Sequence, residues 1–200
     1  MTGRIYNRSA VREGSGALRC AFTGHRPQKL PFGFDETDER CLAFKRRLSE
    51  AIGELIREGY THFLSGGALG TDIWAAEAVL LLRYRNPEIL LEMVSPFDSQ
   101  AARWREEDRA RHDRLFALAD IVTATGHEFS PGCLQRRNRY LVDNADLLLA
   151  ASSGIRGGTE QTVAYARRIG VPVRFLAMEG TEEEPADQGG QDGRENSAAL

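Results

Sequence analysis

The sequence predicts an α/β fold, with an open parallel sheet of about six strands and helices on both faces. Short apolar runs without polar alternation are typical of parallel strands that are buried on both sides. These runs alternate along the chain with segments whose apolar residues recur at helical spacing. A length of 200 residues, 42% of them hydrophobic, suits one such domain with a substantial core. The sequence contains no internal repeat.

We expect this domain to extend over residues 19–178. Residues 1–18, which are rich in glycine, serine and arginine, are predicted to be a flexible lead-in. Residues 179–200 hold seven acidic residues against a single arginine and lack apolar periodicity, which predicts an acidic, flexible tail. The formal net charge of −3 therefore conceals a mildly basic domain. Such a domain suits anionic small ligands and does not by itself indicate a nucleic-acid binder.

Capping residues and apolar spacing define the elements of the first half. After a strand at 19–23, Asp38 is a suitable N-cap for a helix, and Gly59 ends that helix. Its apolar stripe consists of Leu48, Ala51, Ile52, Leu55 and Ile56. The next predicted elements are a strand at 61–64, a helix at about 70–85, a strand at 88–94 and an Arg/Glu-rich helix at about 99–118.

The second half continues the alternation. A strand at 121–124 precedes Ser130 and Pro131, which suit the N-cap and the first turn of a helix that continues to about residue 144. The strand at 147–151 is fully apolar. A helix then opens at Gly157 and ends before Gly170, and the last strand is predicted at 171–176.

Cysteine and histidine usage argues against several kinds of site. Cys20, Cys41 and Cys133 have no metal-ligand spacing and cannot all be paired, which predicts reduced thiols and a cytoplasmic protein. The histidines lack a nearby carboxylate or cysteine at ligand spacing, so we expect no metal site. No apolar run reaches membrane-spanning length and the N-terminus lacks an apolar signal core. We therefore expect neither insertion into a membrane nor export.

Residues 65–72, Ser-Gly-Gly-Ala-Leu-Gly-Thr-Asp, join a predicted strand to a predicted helix. Glycine allows the backbone to turn sharply and a ligand to approach closely, and the first turn of a helix favours an anion. Gly157 and Gly158 repeat this arrangement after the fifth strand, at the sheet edge where ligands bind in open α/β sheets. A tight turn with close helix packing is the alternative for both pairs. Neither the P-loop nor the G-x-G-x-x-G motif is present, which argues against ATPases and dehydrogenases of those types.

Other candidate residues each allow two interpretations. Asp72 suits the dipole of its helix or a hydrogen bond to a ribose hydroxyl. Arg136, Arg137 and Arg139 suit a solvated basic face, or the neutralisation of a diphosphate or a nucleic-acid backbone. His25 and Arg26 follow the first strand, where a residue can face a ligand or stabilise the loop.

Four segments together resemble a known group: Gly24-His25-Arg26-Pro27, residues 65–72, Arg137-Asn138-Arg139, and Gly157 to Thr162 with residues 164–166. They are similar to the SLOG superfamily, named for the Smf/DprA and LOG proteins, and most closely to its YpsA-like single-domain branch. The similarity extends from about residue 19 to residue 176. It implies a Rossmann-like fold, and a homodimer as in relatives.

The resemblance implies two further activities. DprA-like proteins share the S-G-x-A-x-G-x-D and R-N-R patterns and bind single-stranded DNA, although this chain lacks room for their accessory domains. LOG-like proteins cleave the N-glycosidic bond of nucleoside monophosphates with an arginine and the glutamate of P-G-G-x-G-T-x-x-E. Here Thr162 stands where that glutamate belongs, and Glu160 is two positions away. Glu160 is therefore the candidate catalytic carboxylate.

We expect a sensor or binding protein for a nucleotide or an ADP-ribose-like ligand, with no required cofactor. Phosphates would lie on the two glycine turns, Asp72 would contact ribose and Arg137 would neutralise charge. The alternatives are N-glycosidic hydrolysis by Glu160 and single-stranded nucleic-acid binding by the arginine helix. The expected ligand-binding residues are Gly24, His25, Arg26, Ser65, Gly66, Gly67, Gly70, Asp72, Arg137, Asn138, Gly157, Gly158 and Thr159.

Overall fold

The structure, a computed structural model, describes residues 16–152, 154 and 156–177. It contains six parallel strands in the order β4-β3-β2-β1-β5-β6, which confirms the predicted open parallel sheet. The strands are β1 (Leu18–Gly24), β2 (Tyr60–Ser65), β3 (Leu90–Ser95), β4 (Ile121–Ala124), β5 (Leu147–Ala151) and β6 (Val173–Phe175). Most of the predicted lead-in and the whole predicted tail lie outside the described residues.

Among the described residues, five α-helices connect the strands. They are α1 (Glu39–Arg57), α2 (Thr71–Arg83), α3 (Glu106–Leu118), α4 (Cys133–Asp143) and α5 (Gly158–Arg168). A short 3₁₀ helix, Pro27–Lys29, follows β1. As predicted, Asp38 is the N-cap of α1, because its Oδ1 accepts a hydrogen bond of 2.8 Å from the Arg40 N–H.

Helices cover both faces of the sheet, and successive strand residues contribute to different cores. Phe22 lies in the larger core with side chains of α1, α2 and α3. Its neighbour Ala21 lies in the smaller core with side chains of α4 and α5. This alternation explains why the central strands are apolar on both sides.

Helix α3 begins seven residues later than the predicted start at Ser99, so that expectation was wrong. Residues 97–104 form successive turns with hydrogen bonds between residues three apart, such as Gln100 N–H to Phe97 O at 3.3 Å. Arg105 then has extended backbone angles, and Glu106 opens the first turn of α3 with two more acidic residues. Acidic side chains are stabilised at a helix N-terminus by the helix dipole. The run of three acidic residues is therefore the sequence signal for the start of α3 at Glu106.

Helix α4 also begins later than predicted. Gly132, with φ of 79°, precedes its first residue, Cys133. The Ser130 hydroxyl, which was expected to cap the helix, instead accepts a hydrogen bond of 2.9 Å from Arg136. The predicted Ser130 cap was therefore wrong, because Gly132 adopts the left-handed conformation that redirects the chain into the helix.

The strand order reverses between β1 and β5. Strands β2, β3 and β4 lie in succession on one side of β1, whereas β5 and β6 lie on the other. In open α/β sheets, the carboxyl ends of the two strands at such a reversal flank a crevice that ligands occupy. The loops after β1 and β5 are thus the first place to look for a site. Within the described part of the chain, no helix is long and apolar enough to cross a membrane.

Candidate functional site

A cleft of about 480 Å³ lies at the reversal point, between the loop after β1 and the start of α5. Nine of the expected ligand-binding residues line it. They are Gly24, His25, Arg26, Asp72, Arg137, Asn138, Gly157, Gly158 and Thr159. The volume is in the range of pockets that take small organic ligands.

Several further polar side chains of the wall were not expected from the sequence, and three of them lie close to segments that were. Gln28 and Lys29 belong to the 3₁₀ helix, and Gln161 belongs to the first turns of α5. The Lys29 Nζ donates a hydrogen bond of 2.8 Å to the Arg156 carbonyl. It therefore ties the loop after β1 to the loop after β5. In the sequence, these residues could have been identified because they lie next to the G-H-R-P and G-G-T-E segments.

The loop after β1 is fastened to the start of α2. Thr71 Oγ1 donates a hydrogen bond of 3.2 Å to the His25 carbonyl. This approach requires glycine at position 24, because a methyl group there would overlap the Thr71 side chain. Glycine is also required at position 70, where φ is 93° and a methyl group would lie 2.7 Å from the His25 carbonyl oxygen. Burial and the charge of Lys29 lower the pKa of His25, and Glu160 opposes this effect. The neutral form of the imidazole is therefore favoured.

The remaining predicted residues of the first glycine turn, Ser65, Gly66, Gly67 and Gly70, are buried and are not among the described residues that line the cleft. The Ser65 hydroxyl donates a hydrogen bond of 2.8 Å to the Asp72 carbonyl and accepts one of 3.2 Å from the Gly67 N–H. The side-chain amide of Gln100 donates to the carbonyls of Gly66 and Gly67 at 3.3 and 3.2 Å. The turn is thus occupied by its own protein partners.

Arg137 fills the space beside this turn. Its guanidinium donates a hydrogen bond to the Gly66 carbonyl and lies 3.7 Å from Asp72 Oδ2. A methyl group at Gly66 would overlap that guanidinium and lie 2.7 Å from Asp72 Oδ2. Gly66 is therefore a glycine because an arginine packs against it.

Asp72 and Arg137 form a buried ion pair at the base of the cleft, with 10% and 5% of their side chains exposed. Asp72 Oδ2 also accepts a hydrogen bond of 3.3 Å from the Ala68 N–H. Burial raises the pKa of Asp72, while the Arg137 charge opposes that rise. The pair keeps the base of the cleft polar, because an arginine side chain does not lose its proton in proteins.

The second glycine turn, at Gly157 and Gly158, faces open space and is called the open turn below. A methyl group at Gly158 would meet no heavy atom within 4 Å. Gly158 is the first residue of α5, and the Thr159 that follows it is buried in the wall. The N–H groups of this first turn carry the positive end of the helix dipole. The cleft therefore contains a helix terminus that an anion can reach.

Asn138 and Thr162 link α4 to α5 beside the cleft. Asn138 Nδ2 donates a hydrogen bond of 2.9 Å to Thr162 Oγ1, which in turn donates one of 2.8 Å to the Gly158 carbonyl. Asn138 Oδ1 accepts one of 3.0 Å from Arg137 Nε. Thr162 thus holds the open turn in place from the position where LOG-like proteins carry a glutamate.

Glu160 lies beside the cleft, outside the set of lining residues. Its carboxylate accepts a hydrogen bond from the Ser152 hydroxyl at the end of β5. Its charge also acts on His25, which does line the cleft. The side chain is therefore within electrostatic reach of a bound ligand.

The described residues contain no group of three or more His, Cys, Asp or Glu side chains that could hold a metal ion. His62 does have a carboxylate neighbour, since its Nε2 lies 2.9 Å from Glu92 Oε2 within the sheet. Both side chains are buried. That pair is a polar contact between β2 and β3, away from the cleft wall.

Comparison with known families gives one match over most of the chain. A sequence model of the YspA SLOG family matches residues 20–167. A UPF0398 protein of Bacillus velezensis is 30% identical over 166 residues, which cover 80% of this chain and 91% of the relative. The UPF0398 protein YpsA of Bacillus subtilis is 27% identical over 166 residues, with 80% and 92% coverage.

Two solved structures of DNA processing protein A share the fold. The Helicobacter pylori protein, described in terms of its single-stranded DNA binding mode, has a TM-score of 0.56 at 20% identity, covering 79% of this chain and 64% of its own. The Streptococcus pneumoniae protein has a TM-score of 0.55 at 16% identity, with 80% and 50% coverage. At these identities the similarity shows the fold alone.

Proposed function

Since the chain belongs to the YspA SLOG family, we propose that its cleft binds a nucleotide or an ADP-ribose-like molecule, and that the protein is a ligand-binding or sensor domain. The observation that carries the proposal is the charge of the cleft at the strand-order reversal. Arg26, Lys29 and Arg137 line it, and among the described lining residues Asp72 is the one carboxylate. An anion is the ligand that this imbalance favours.

The proposed ligand has its phosphates on the open turn. The N–H groups of Gly158 and Thr159 would donate to phosphate oxygens, as helix N-termini commonly do, and Lys29 and Arg26 would supply charge. Asp72 would face the sugar, because its side-chain contacts with other described residues are made through Oδ2, and Oδ1 could accept from a ribose hydroxyl. Arg137 then acts through Asp72 and the Gly66 carbonyl, holding the base of the cleft in shape.

Calorimetry with AMP, ADP-ribose and NAD tests the proposal. We expect binding by the native chain, and a loss of affinity of about tenfold in Arg26→Gln, because hydrogen bonds to charged groups are worth roughly 1.5–3 kcal/mol. Arg46→Gln, an exposed arginine on α1, is the matched control and should bind as the native protein does. Absence of binding to all three compounds by folded protein would contradict the proposal.

A second candidate is hydrolysis of a nucleotide N-glycosidic bond. It is favoured by Glu160, whose carboxylate accepts from Ser152 and acts on His25 at the cleft wall. A carboxylate in that position could stabilise an oxocarbenium-like transition state. Release of free base from a nucleoside monophosphate, lost in Glu160→Gln, is the expected signature. Unchanged turnover in that variant would reject the role of Glu160.

A third candidate, single-stranded DNA binding, comes from the Helicobacter pylori neighbour. Here Arg137 is buried in the ion pair, whereas Arg136 and Arg139 are exposed on α4, so two of the three arginines remain for a phosphate backbone. Affinity for oligonucleotides should then fall steeply with salt. Binding that does not change with salt would argue against this candidate.

We further propose a homodimer in a reducing compartment. Cys20, Cys41 and Cys133 are free and buried, as suits a protein that does not depend on disulfides. Light scattering after size-exclusion chromatography measures the oligomeric state, and a monomeric mass would contradict the dimer.

A further inference from the structure

A second groove, of about 380 Å³, runs between α4 and α5. It shares three lining residues with the cleft, namely Gln135, Asn138 and Gln161. The two cavities therefore adjoin at these amide side chains. Each amide offers both hydrogen-bond donors and an acceptor, which suits the sugar and base of a nucleoside.

The far end of the groove carries two arginines on one aromatic ring. The guanidinium carbons of Arg139 and Arg168 lie 5.7 and 5.1 Å from the centre of the Tyr165 ring. Tyr165 is held in place by its hydroxyl, which donates a hydrogen bond of 2.7 Å to Asp143 Oδ1. Both arginines line the groove, so this end of it carries two positive charges and favours an anion.

The two cationic regions are too far apart for one phosphate group. Gly158 and Tyr165 are seven residues apart on α5, which corresponds to roughly 10 Å along the helix axis. A phosphate on the open turn is therefore about two helical turns from Tyr165, the residue whose ring both guanidiniums contact. A ligand that used both regions would need two phosphate groups with a nucleoside between them.

We infer that the groove is a second subsite, and that the protein selects nucleotides that carry a second phosphate group on the far side of the nucleoside. The inference rests on the proposed function, because the first phosphate occupies the cleft. The second phosphate binds Arg139 and Arg168, and the nucleoside lies along Asn138 and Gln161. Arginine pairs with phosphate in charge-assisted hydrogen bonds, often bidentate ones.

Two kinds of ligand carry phosphate groups on both sides of a nucleoside: a small bisphosphorylated nucleotide and a single strand of nucleic acid. The volumes of the cleft and the groove match a small ligand. A long strand would instead favour a series of exposed aromatic side chains for stacking. Among the described residues that line the two cavities, Tyr165 is the one Phe, Tyr or Trp. The small ligand is therefore the better match.

Calorimetry with three probes tests the inference: adenosine 5′-monophosphate, adenosine 3′,5′-bisphosphate and a six-nucleotide oligoadenylate. We expect the native protein to prefer the bisphosphate over the monophosphate by about tenfold or more, since the second phosphate adds charge-assisted hydrogen bonds to arginine. The double variant Arg139→Gln with Arg168→Gln should lose that preference and bind the monophosphate within about twofold of the native affinity. Far-ultraviolet circular dichroism verifies that the variant is folded.

Arg167→Gln is the matched control. Arg167 is on α5, next to Arg168, but its guanidinium carbon lies 5.4 Å from the centre of the Phe175 ring. Arg167 does not line the groove. This variant should keep the preference for the bisphosphate.

The outcomes separate the two proposals. Equal native affinity for monophosphate and bisphosphate overturns the second subsite and leaves the proposed function in place. Absence of binding to either compound overturns both. Oligonucleotide binding that depends on Arg139 and Arg168, without a preference for the bisphosphate, overturns the small ligand in favour of a single strand.

Discussion

At Gly66 a methyl group would overlap the Arg137 guanidinium, whereas at Gly158 it would meet no heavy atom within 4 Å. Gly66 lies between β2 and α2, and Gly158, the first residue of α5, follows β5 at the same edge of the sheet. The first turn is filled by Arg137, Gln100 and Ser65, and the second is open to the cleft. A pair of glycines at a strand-to-helix junction can therefore serve a side chain of the protein or a ligand, and only the neighbours distinguish the two.

The largest expected effect comes from filling the first turn. Gly66→Ala should lower the free energy of unfolding by about 2–3 kcal/mol, because the added methyl group displaces a buried guanidinium. Gly158→Ala should change it by less than about 0.5 kcal/mol or raise it, since alanine favours the helix. Urea denaturation of both variants measures the difference.

A double-mutant cycle identifies the cause of that effect. If overlap with Arg137 is responsible, Gly66→Ala should cost at least about 1 kcal/mol less in an Arg137→Met background, because residues in contact are not additive. Arg137→Met alone should also be destabilising, since it leaves Asp72 buried without its cation. Additive effects would show that the first turn is closed by something other than Arg137.

A smaller effect on stability should distinguish Asp72, the buried carboxylate behind the first glycine turn, from Glu36, a carboxylate nearer the surface. Burial raises the pKa of Asp72 despite Arg137, so the folded state binds protons more tightly than the unfolded chain does. The native protein should therefore gain stability relative to Asp72→Asn as the pH falls from 7. Unfolding free energies of both proteins in a pH series provide the measurement.

Glu36 should behave in the opposite way and serves as the control. Burial acts to raise the pKa of Glu36, but hydrogen bonds from Arg111 and Lys45 outweigh it and hold that pKa at about 2. Its stabilising contribution is present above pH 4.5, its ordinary value, and is lost as the pH falls towards 2. We expect a loss of about 1 kcal/mol relative to Glu36→Gln, because a third of the side chain is exposed and solvent screens the pair. A pH response of the same sign at both positions would contradict these environments.

The smallest effect on stability is expected at the open turn. Lys29→Gln should change the free energy of unfolding by less than about 0.5 kcal/mol and weaken nucleotide binding about fivefold, as suits a partly exposed charge. Lys45→Gln is the matched control, because Lys45 pairs with Glu36 and lies outside the cleft. Equal affinities of the two variants would show that Lys29 does not contact the ligand.

Local patterns in the sequence were enough to predict the order of strands and helices and the sheet edge that holds the cleft. The strand at 147–151 is fully apolar and is observed at the predicted residues. The predicted start of α3 was wrong because residues 97–104 form turns that bury Ala101. The acidic residues that begin at Glu106 mark the first turn of the helix. Local spacing predicts elements well and their ends less well.

The interior of the first turn could not be predicted in the same way. Nothing near Gly66 in the sequence indicates that Arg137, on another helix, fills the space beside it. Arg136 and Arg139 look like Arg137 in the sequence, yet they are exposed and Arg137 is buried. The difference arises from the contact of α4 with the sheet, which depends on the whole fold.

The hydrogen bond between Arg137 and the Gly66 carbonyl joins residues that are 71 positions apart in the chain. A contact of that sequence separation forms only after the intervening chain has been ordered, and closing such a long loop costs entropy before it returns any stabilisation. We therefore expect the Gly66 turn to acquire its final form late in folding, once α4 has docked on the strands. Until then the chain can hold β2 and α2 without holding the base of the cleft.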